Sequence, residues 1–265
     1  GSLSKRWHLI DFANGITQEK GLFTIATILS EKEVPQEKVT NFEKQITDYL
    51  NNKKIRALVR VTRAEGTFSG AIQLVSSYGL GLLVPNTILL GESKVEDHKE
   101  DYAQMIDHFY KSKRNIIIMQ DFVSDDFRSK KTVDIWWGGL KGNGGLMMIL
   151  GYLMYNSPYW RDVEINIKML VKTEEAALIA KKNLTNLLSG MRIDFNTKVL
   201  VSKNESFWNI LKVESSNSDL VMLGLRTPDN DFSCYFENLK KNTKSIKKKI
   251  FVLASQDIEF KDVLS

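Results

Sequence analysis

The chain predicts an α/β protein made of two tandem, doubly wound parallel-sheet subdomains. Three observations carry that prediction. Strand-like and helix-like stretches alternate along nearly all of the 265 residues. The series strand-helix-strand-helix-strand-helix-strand occurs twice, so that Gly21–Gln120 and Glu164–Ser255 align element for element. The strand candidate Asn115–Gln120 (NIIIMQ) shows no polar alternation, as expected where helices cover both faces of a parallel sheet.

The elements follow in order. Trp7–Ala13 (WHLIDFA) and Gly21–Leu29 read as strands joined by the turn NGITQEKG. Pro35 opens a helix to Leu50, with Val39, Phe42, Ile46, Tyr49 and Leu50 on one face. Ala57–Arg63 is a strand, Thr67–Tyr78 a helix closed by Gly79, and Thr87–Gly91 a short buried strand. Asp97–Lys111 is an amphipathic helix leading to Asn115–Gln120. In the second half, Thr132–Trp137 reads as a strand in which Val133, Ile135 and Trp137 alternate with Asp134 and Trp136. The helix Leu146–Tyr155 follows a glycine-rich turn. Next come the strand Glu164–Val171, helix Glu174–Leu188, strand Lys198–Ser202, helix Glu205–Glu214, strand Asp219–Leu225, helix Phe232–Lys241 and strand Ile250–Ser255.

The polar, mixed-charge stretch Phe122–Lys131 separates the halves and places the subdomains at residues 1–125 and 126–265. The clearest internal echo is NTILLG (Asn86–Gly91) beside SDLVMLG (Ser218–Gly224), each a strand ending in Leu-Gly. Subdomains of about 130 residues suit the universal-stress-protein or flavodoxin-like pattern, with strand order 3-2-1-4-5 expected in each.

Composition narrows the function classes. Hydrophobic content of 43% promises a sizeable core, and no apolar run reaches the ~18 residues of a membrane span. Gly1-Ser2 reads as a cloning remnant, and the single cysteine, Cys234, reads as a small buried helix residue. Net charge is +5, concentrated in Lys240–Lys249 (KKNTKSIKKK). That run reads first as a solvated helix end and turn; its sharper reading is contact with an anionic membrane surface. Aromatics do not interleave with it, which argues against nucleic acid. The histidines His8, His98 and His108 have no zinc spacing, and neither a Walker A, a G-x-S-x-G nor an HExxH motif is present. We therefore expect no catalytic residues, no metal and no resident cofactor.

Two turns remain as anion candidates. GGLKGNGG (Gly138–Gly145, with Lys141) joins a strand to a helix, but its spacing fits neither dinucleotide nor universal-stress phosphate patterns. In the first half, Gly66, Thr67 and Ser69 stand at the start of a helix that follows a strand. The plain reading there is a helix cap; the functional one is an anion or nucleotide site.

Four motifs carry a family resemblance. TVDIWWGGLKGNGGLMMILGYLM (Thr132–Met154) followed by WRDVEINIK (Trp160–Lys168) resembles the T-I-D-V-W-W segment, G-G-L loop, apolar helix and W-K-D-C-K-I-R strand of cation-chloride cotransporter carboxy-terminal domains. HLIDFANGITQEKGLFTIATIL (His8–Leu29) is similar to that family's opening strand pair. GLGLLVPNTILLG (Gly79–Gly91) and SDLVMLGLRTP (Ser218–Pro228) resemble two further family segments in the same order. The loop after Trp-Trp departs from the acidic version of animal members. The resemblance implies a prokaryotic-type cytosolic regulatory and dimerisation domain at the inner face of the membrane. Its partners would be a second copy and its own transmembrane domain, which moves chloride with sodium and/or potassium. A universal-stress-like nucleotide-binding signalling protein is the alternative, and the resemblance keeps ATP as a candidate ligand of the first subdomain. The surplus aromatics Trp136, Phe207 and Trp208 are the residues that suggest a dimer face.

Overall fold

In the computed structural model, residues 6–257 are described apart from 19, 33, 80, 82, 93–97, 121–130, 139–141 and 190–193. The expected boundary at 125/126 and Lys141 lie outside the described residues.

The second half follows the expectation closely. Its elements are β5 (Thr132–Trp136), α5 (Asn143–Tyr155), β6 (Glu164–Val171), α6 (Glu174–Ser189), β7 (Asn196–Val201), α7 (Phe207–Glu214), β8 (Leu220–Gly224), α8 (Phe232–Asn242) and β9 (Lys249–Leu253). Their order in the sheet is β7-β6-β5-β8-β9, all parallel, which is the 3-2-1-4-5 pattern. The sheet continues from β9 into the first half through β4 (Asn115–Gln120) and β3 (Thr87–Gly91), giving seven strands. Only the β4–β9 junction is antiparallel: Ile116 stands opposite Leu253, Ile118 opposite Phe251 and Gln120 opposite Lys249.

The first half departs from expectation at its start. Trp7–Thr17 is a helix, α1, and not a strand. The stretch WHLIDFANGIT carries a period-2 pattern early, but Leu9, Phe12 and Ile16 also fall at helical spacing and all three join one core. Ile10, one residue off that row, enters a different core with Val39, Ile46 and Leu50. A strand could not send Ile10 and Phe12 to two cores, because residues two apart share a face. The Trp7 indole stacks on Tyr49 at 3.7 Å between ring centroids, and Gln18 Nε2 donates to Leu153 O at 2.7 Å, which ties the end of α1 to α5. The remaining elements are β1 (Thr24–Ser30), α2 (Val39–Lys53), β2 (Leu58–Ala64), α3 (Thr67–Ser77) and α4 (Lys99–Lys111). β1 and β2 form a separate two-stranded parallel sheet.

Alternate residues of the central strands enter two different cores. Ile117, Met119, Ile250 and Val252 pack beneath α5 and α1. Ile116, Ile118, Phe251 and Leu253 pack beneath α4, α7 and α8. With both faces covered, β4 and β9 are buried at every position. Each apolar side chain among them contributes on the order of 1.5–3 kcal/mol.

Candidate functional site

Open α/β sheets bind ligands beyond the carboxyl ends of their strands, where the strand order reverses. In the second half that point lies between β5 and β8, and the glycine turn stands there. The described end of the turn is engaged by the protein's own side chains. The Asn143 side chain, at the start of α5, donates through Nδ2 to Leu225 O at 2.7 Å and accepts from Ala254 N–H at 2.6 Å. It thereby fastens the ends of β8 and β9 with its own carboxamide. Gly142 has φ +39°, and a Cβ on it would lie 2.8 Å from Gln256 O. A Cβ on Gly144 would meet the Trp137 indole at 2.9 Å. These glycines serve close packing of backbone and side chains.

In the first half, Gly66 stands at the N-cap of α3 with extended backbone and no side-chain cap. Ser69 Oγ donates back to Gly66 O at 3.1 Å, so the hydroxyl is engaged within the turn. The structure thus brings Gly66, Thr67 and Ser69 together at one helix start. Immediately after Ser69, Gly70 lets α3 settle onto the sheet: a Cβ there would lie 2.6 Å from Ala64 Cβ and 2.7 Å from Ile28 Cγ2.

The most elaborate polar constellation was not foreseen from sequence as a site. Asp134, in the middle of β5, is fully buried. Its carboxylate accepts from Lys168 Nζ (2.6 Å), Ser215 Oγ (2.6 Å), Asn166 Nδ2 (3.2 Å) and Ser218 Oγ. Lys168 also donates to Glu214 O at 2.5 Å, at the carboxyl end of α7, where a cation is favoured. Trp136 Nε1 donates to Ser215 Oγ at 2.9 Å. The network pins β5, β6 and the α7–β8 turn together. The signal was present in the sequence, since two adjacent strands carry opposite charges, Asp134 and Lys168, each amid apolar neighbours. Asp134 and Trp136, which alternate with Val133 and Ile135, are buried as well, because helices cover both faces.

Other expectations are corrected. Trp136 is buried and so takes no part in a dimer face, while Phe207 and Trp208 are half-buried against the same core. The Phe207 ring meets Trp136 edge-on at 5.3 Å. Cys234 is exposed on α8 rather than buried, because it falls on the helix face opposite Phe232 and Phe236. The lysine run is not uniformly solvated. Lys241, Lys244 and Lys247 are exposed, whereas Lys249 is buried in β9 with Nζ donating to Ile246 O at 3.0 Å. Lys240 pairs with Glu237 and lies over the Phe236 ring. His98 faces Asp101 at 3.5 Å and His108 Nε2 meets Ser76 Oγ at 3.0 Å. Among the described residues no group of three or more His, Cys, Asp or Glu is placed to hold a metal, and no helix is long and apolar enough to cross a membrane.

An open apolar groove of about 530 Å³ lies between α6 and the sheet, lined by Trp137, Met169, Ile179, Leu184 and Leu187. Leu178 and Ile179 on α6 are 72% and 63% exposed beside it.

Comparison with known proteins supplies the context. The cytoplasmic domain of a prokaryotic cation chloride cotransporter superposes with TM-score 0.68 at 16% identity, covering 94% of this chain and 92% of that one. A universal stress protein from Archaeoglobus fulgidus DSM 4304 gives TM-score 0.61 at 11% identity, over 97% and 94% of the two chains. Mouse (Mus musculus) solute carrier family 12 member 3 is 24% identical over an alignment of 225 residues that covers 71% of this chain and 22% of that protein. The chain therefore spans about a fifth of the length of this curated relative. The sequence profile of solute carrier family 12 matches residues 6–120 and 92–208. Those matches together run from residue 6 to residue 208, well over half of the chain, and the chain belongs to solute carrier family 12.

Proposed function

We propose that this chain is the cytoplasmic domain of a cation-chloride cotransporter, and that it regulates and dimerises its transporter rather than catalysing a reaction. The observation that carries the reading is the family match, joined to a fold shared with a prokaryotic cotransporter's cytoplasmic domain over 94% of the chain. The filled crevice at the β5/β8 reversal supports a non-catalytic role, since Asn143 and Trp137 occupy the place where this architecture takes a substrate. The test is ion flux. The full-length protein in liposomes is expected to take up sodium or potassium only when chloride is present, and chloride-independent or absent uptake overturns the transport reading.

Dimerisation rests on the apolar face of α6. Leu178 and Ile179 expose large side chains beside the groove, a surface suited to a second copy. Sedimentation equilibrium should show a concentration-dependent dimer that Leu178→Asp weakens. A strict monomer at high micromolar concentration removes the dimer role from this domain alone. The universal-stress-type alternative would place a nucleotide phosphate at Gly66, Thr67 and Ser69. Calorimetry with magnesium and ATP decides it: heat of binding lost in Ser69→Ala favours that alternative, and no heat removes it.

A further inference from the structure

Four of the eight large apolar side chains that stand exposed among the described residues gather at one end of the first half, where its strands begin. Leu58 opens β2, and its N–H donates to Phe23 O at 3.0 Å, which holds the start of β1 and Leu22 beside it. Tyr78, at the end of α3, joins the same place, its hydroxyl 2.8 Å from that of Thr24. The chain then turns at Gly79, where a Cβ would lie 2.9 Å from Val84 Cγ2 and 3.1 Å from Leu83 O. Asn86 O accepts from Asn115 N–H at 2.8 Å, so Lys113 and Arg114 stand next in line, before β4. Leu22 is 83% exposed, Leu83 70% and Leu58 55%.

Cations flank these leucines. Lys20 lies two residues before Leu22, Lys53 and Lys54 lie shortly before Leu58, and Lys113 precedes β4; all four are exposed. Among the described residues none of the four makes an ion pair, whereas Lys111 pairs with Asp107 at 2.6 Å. A helix C-terminus favours a cation, which accounts for Lys53 and Lys111 in the last turns of α2 and α4. It does not account for the leucines. Nor does it account for lysine at positions 54 and 113, where φ is +56° and +59° and glycine would close the helix at less conformational cost.

We propose that this end of the first half, with Leu22, Leu58 and Leu83 set among Lys20, Lys54 and Lys113, is a docking surface for an anionic lipid bilayer. The leucines stand on three separate connections, α1–β1, α2–β2 and α3–β3, and line no common groove. Each can enter a fluid acyl layer on its own, while the lysines stay at the level of the negative headgroups. The lysine run Lys240–Lys249 does not offer the same chemistry. Because β4 and β9 are antiparallel, that run lies toward the opposite end of the large sheet, where β9 begins. There Lys249 is buried, Lys240 pairs with Glu237, and Asp162, Glu164 and Asp194 are exposed at the starts of β6 and β7. Charge is mixed at that end and of one sign beside the leucines. The surface stands on its own chemistry, and it adds to the transport reading the face that lies toward the membrane.

Co-sedimentation of the chain with lipid vesicles tests it. Vesicles of phosphatidylcholine with about 30% phosphatidylglycerol are expected to bind at least ~10-fold more protein than phosphatidylcholine alone. Combining Lys20→Glu, Lys54→Glu and Lys113→Glu should abolish that binding. Combining Leu22→Ser and Leu83→Ser should weaken it at least ~10-fold at unchanged net charge. All these positions are exposed, so thermal melting should match the parent; should the triple variant fail to fold, each single charge reversal is expected to weaken binding ~3-fold or more. Combining Lys241→Glu, Lys244→Glu and Lys247→Glu should leave binding as in the parent, since charges at the far end are screened. Equal binding to the two kinds of vesicle overturns the proposal. So does a leucine variant that binds like the parent, or binding that is lost with Lys241, Lys244 and Lys247 and kept without Lys20, Lys54 and Lys113. A vesicle-free dimer that the leucine variant dissolves also overturns it, since a second copy would then cover the face. Ion flux plays no part in these readouts, so failure here and failure of the transport reading are distinguishable.

Discussion

Replacing Asp134 by alanine removes the acceptor of four donors in a place water does not reach. Lys168, itself nearly buried, would keep only the Glu214 carbonyl, and Ser215, Ser218 and Asn166 would each lose a partner. Breaking a buried pair from one side costs about 3–5 kcal/mol, chiefly the penalty of the stranded charge. For a chain of this size that corresponds to a fall in Tm of about 10 °C. Urea unfolding of Asp134→Ala, Lys168→Met and the double variant isolates the coupling. The double variant leaves no stranded ammonium, so it should be more stable than the sum of the singles by roughly 2–3 kcal/mol. A single-variant cost below about 1 kcal/mol, or strictly additive singles, would refute the argument that the pair is a buried, mutually dependent unit.

Three further outcomes are expected. Gly70→Ala should destabilise by roughly 1–3 kcal/mol despite alanine's better helix propensity, because its Cβ would press on Ala64 and Ile28; calorimetric melting checks it, and a stabilised variant would sink the packing account. Asn143→Ala should cost about 1–3 kcal/mol and speed amide exchange at Ala254, the group left without its acceptor. Tyr49 has its pKa pushed up to about 12, first by burial and then by the charge of Asp11 and by Tyr159. Unfolded tyrosine loses its proton near pH ~10, so the unfolded state binds fewer protons above that pH. The stabilising contribution is therefore complete below about pH 10 and is lost as pH rises through about 12. A urea midpoint followed against pH should fall in that window, and less steeply in Tyr49→Phe.

The second half was legible because its signals were local and redundant. Each strand there was bounded by turn residues, and its helices had apolar rows at helical spacing. α1 was not legible, because WHLIDFA satisfies both periods over seven residues and only the two cores that claim Ile10 and Phe12 decide between them. The same limit governed the candidate sites. A glycine-rich turn reads identically whether a phosphate or an asparagine side chain fills it, and Asn143 gave no local sign that it would reach Leu225 and Ala254 across more than 80 residues. Trp136 and Phe207 read as surplus aromatics until the tertiary fold set them edge to face. Lys249 ended a charged run in sequence yet begins a buried strand, because register within the sheet outweighs neighbouring charge.

The antiparallel junction of β4 with β9 has a further meaning. Matching the two halves through Gly91 and Gly224 makes Ile116 the counterpart of Lys249, Ile118 of Phe251 and Gln120 of Leu253. Across the junction Ile118 faces Phe251, its own counterpart, while Ile116 faces Leu253 and Gln120 faces Lys249. A local two-fold axis therefore passes between Ile118 and Phe251. The molecule is arranged like a symmetric pair of half-sized proteins whose mutual interface has been made permanent by a covalent tether. Its two edge-to-edge strands are its most deeply buried, so neither half has an outer boundary of its own there. Cutting the chain between them would yield two fragments that recognise each other, and separately two exposed hydrophobic ribbons.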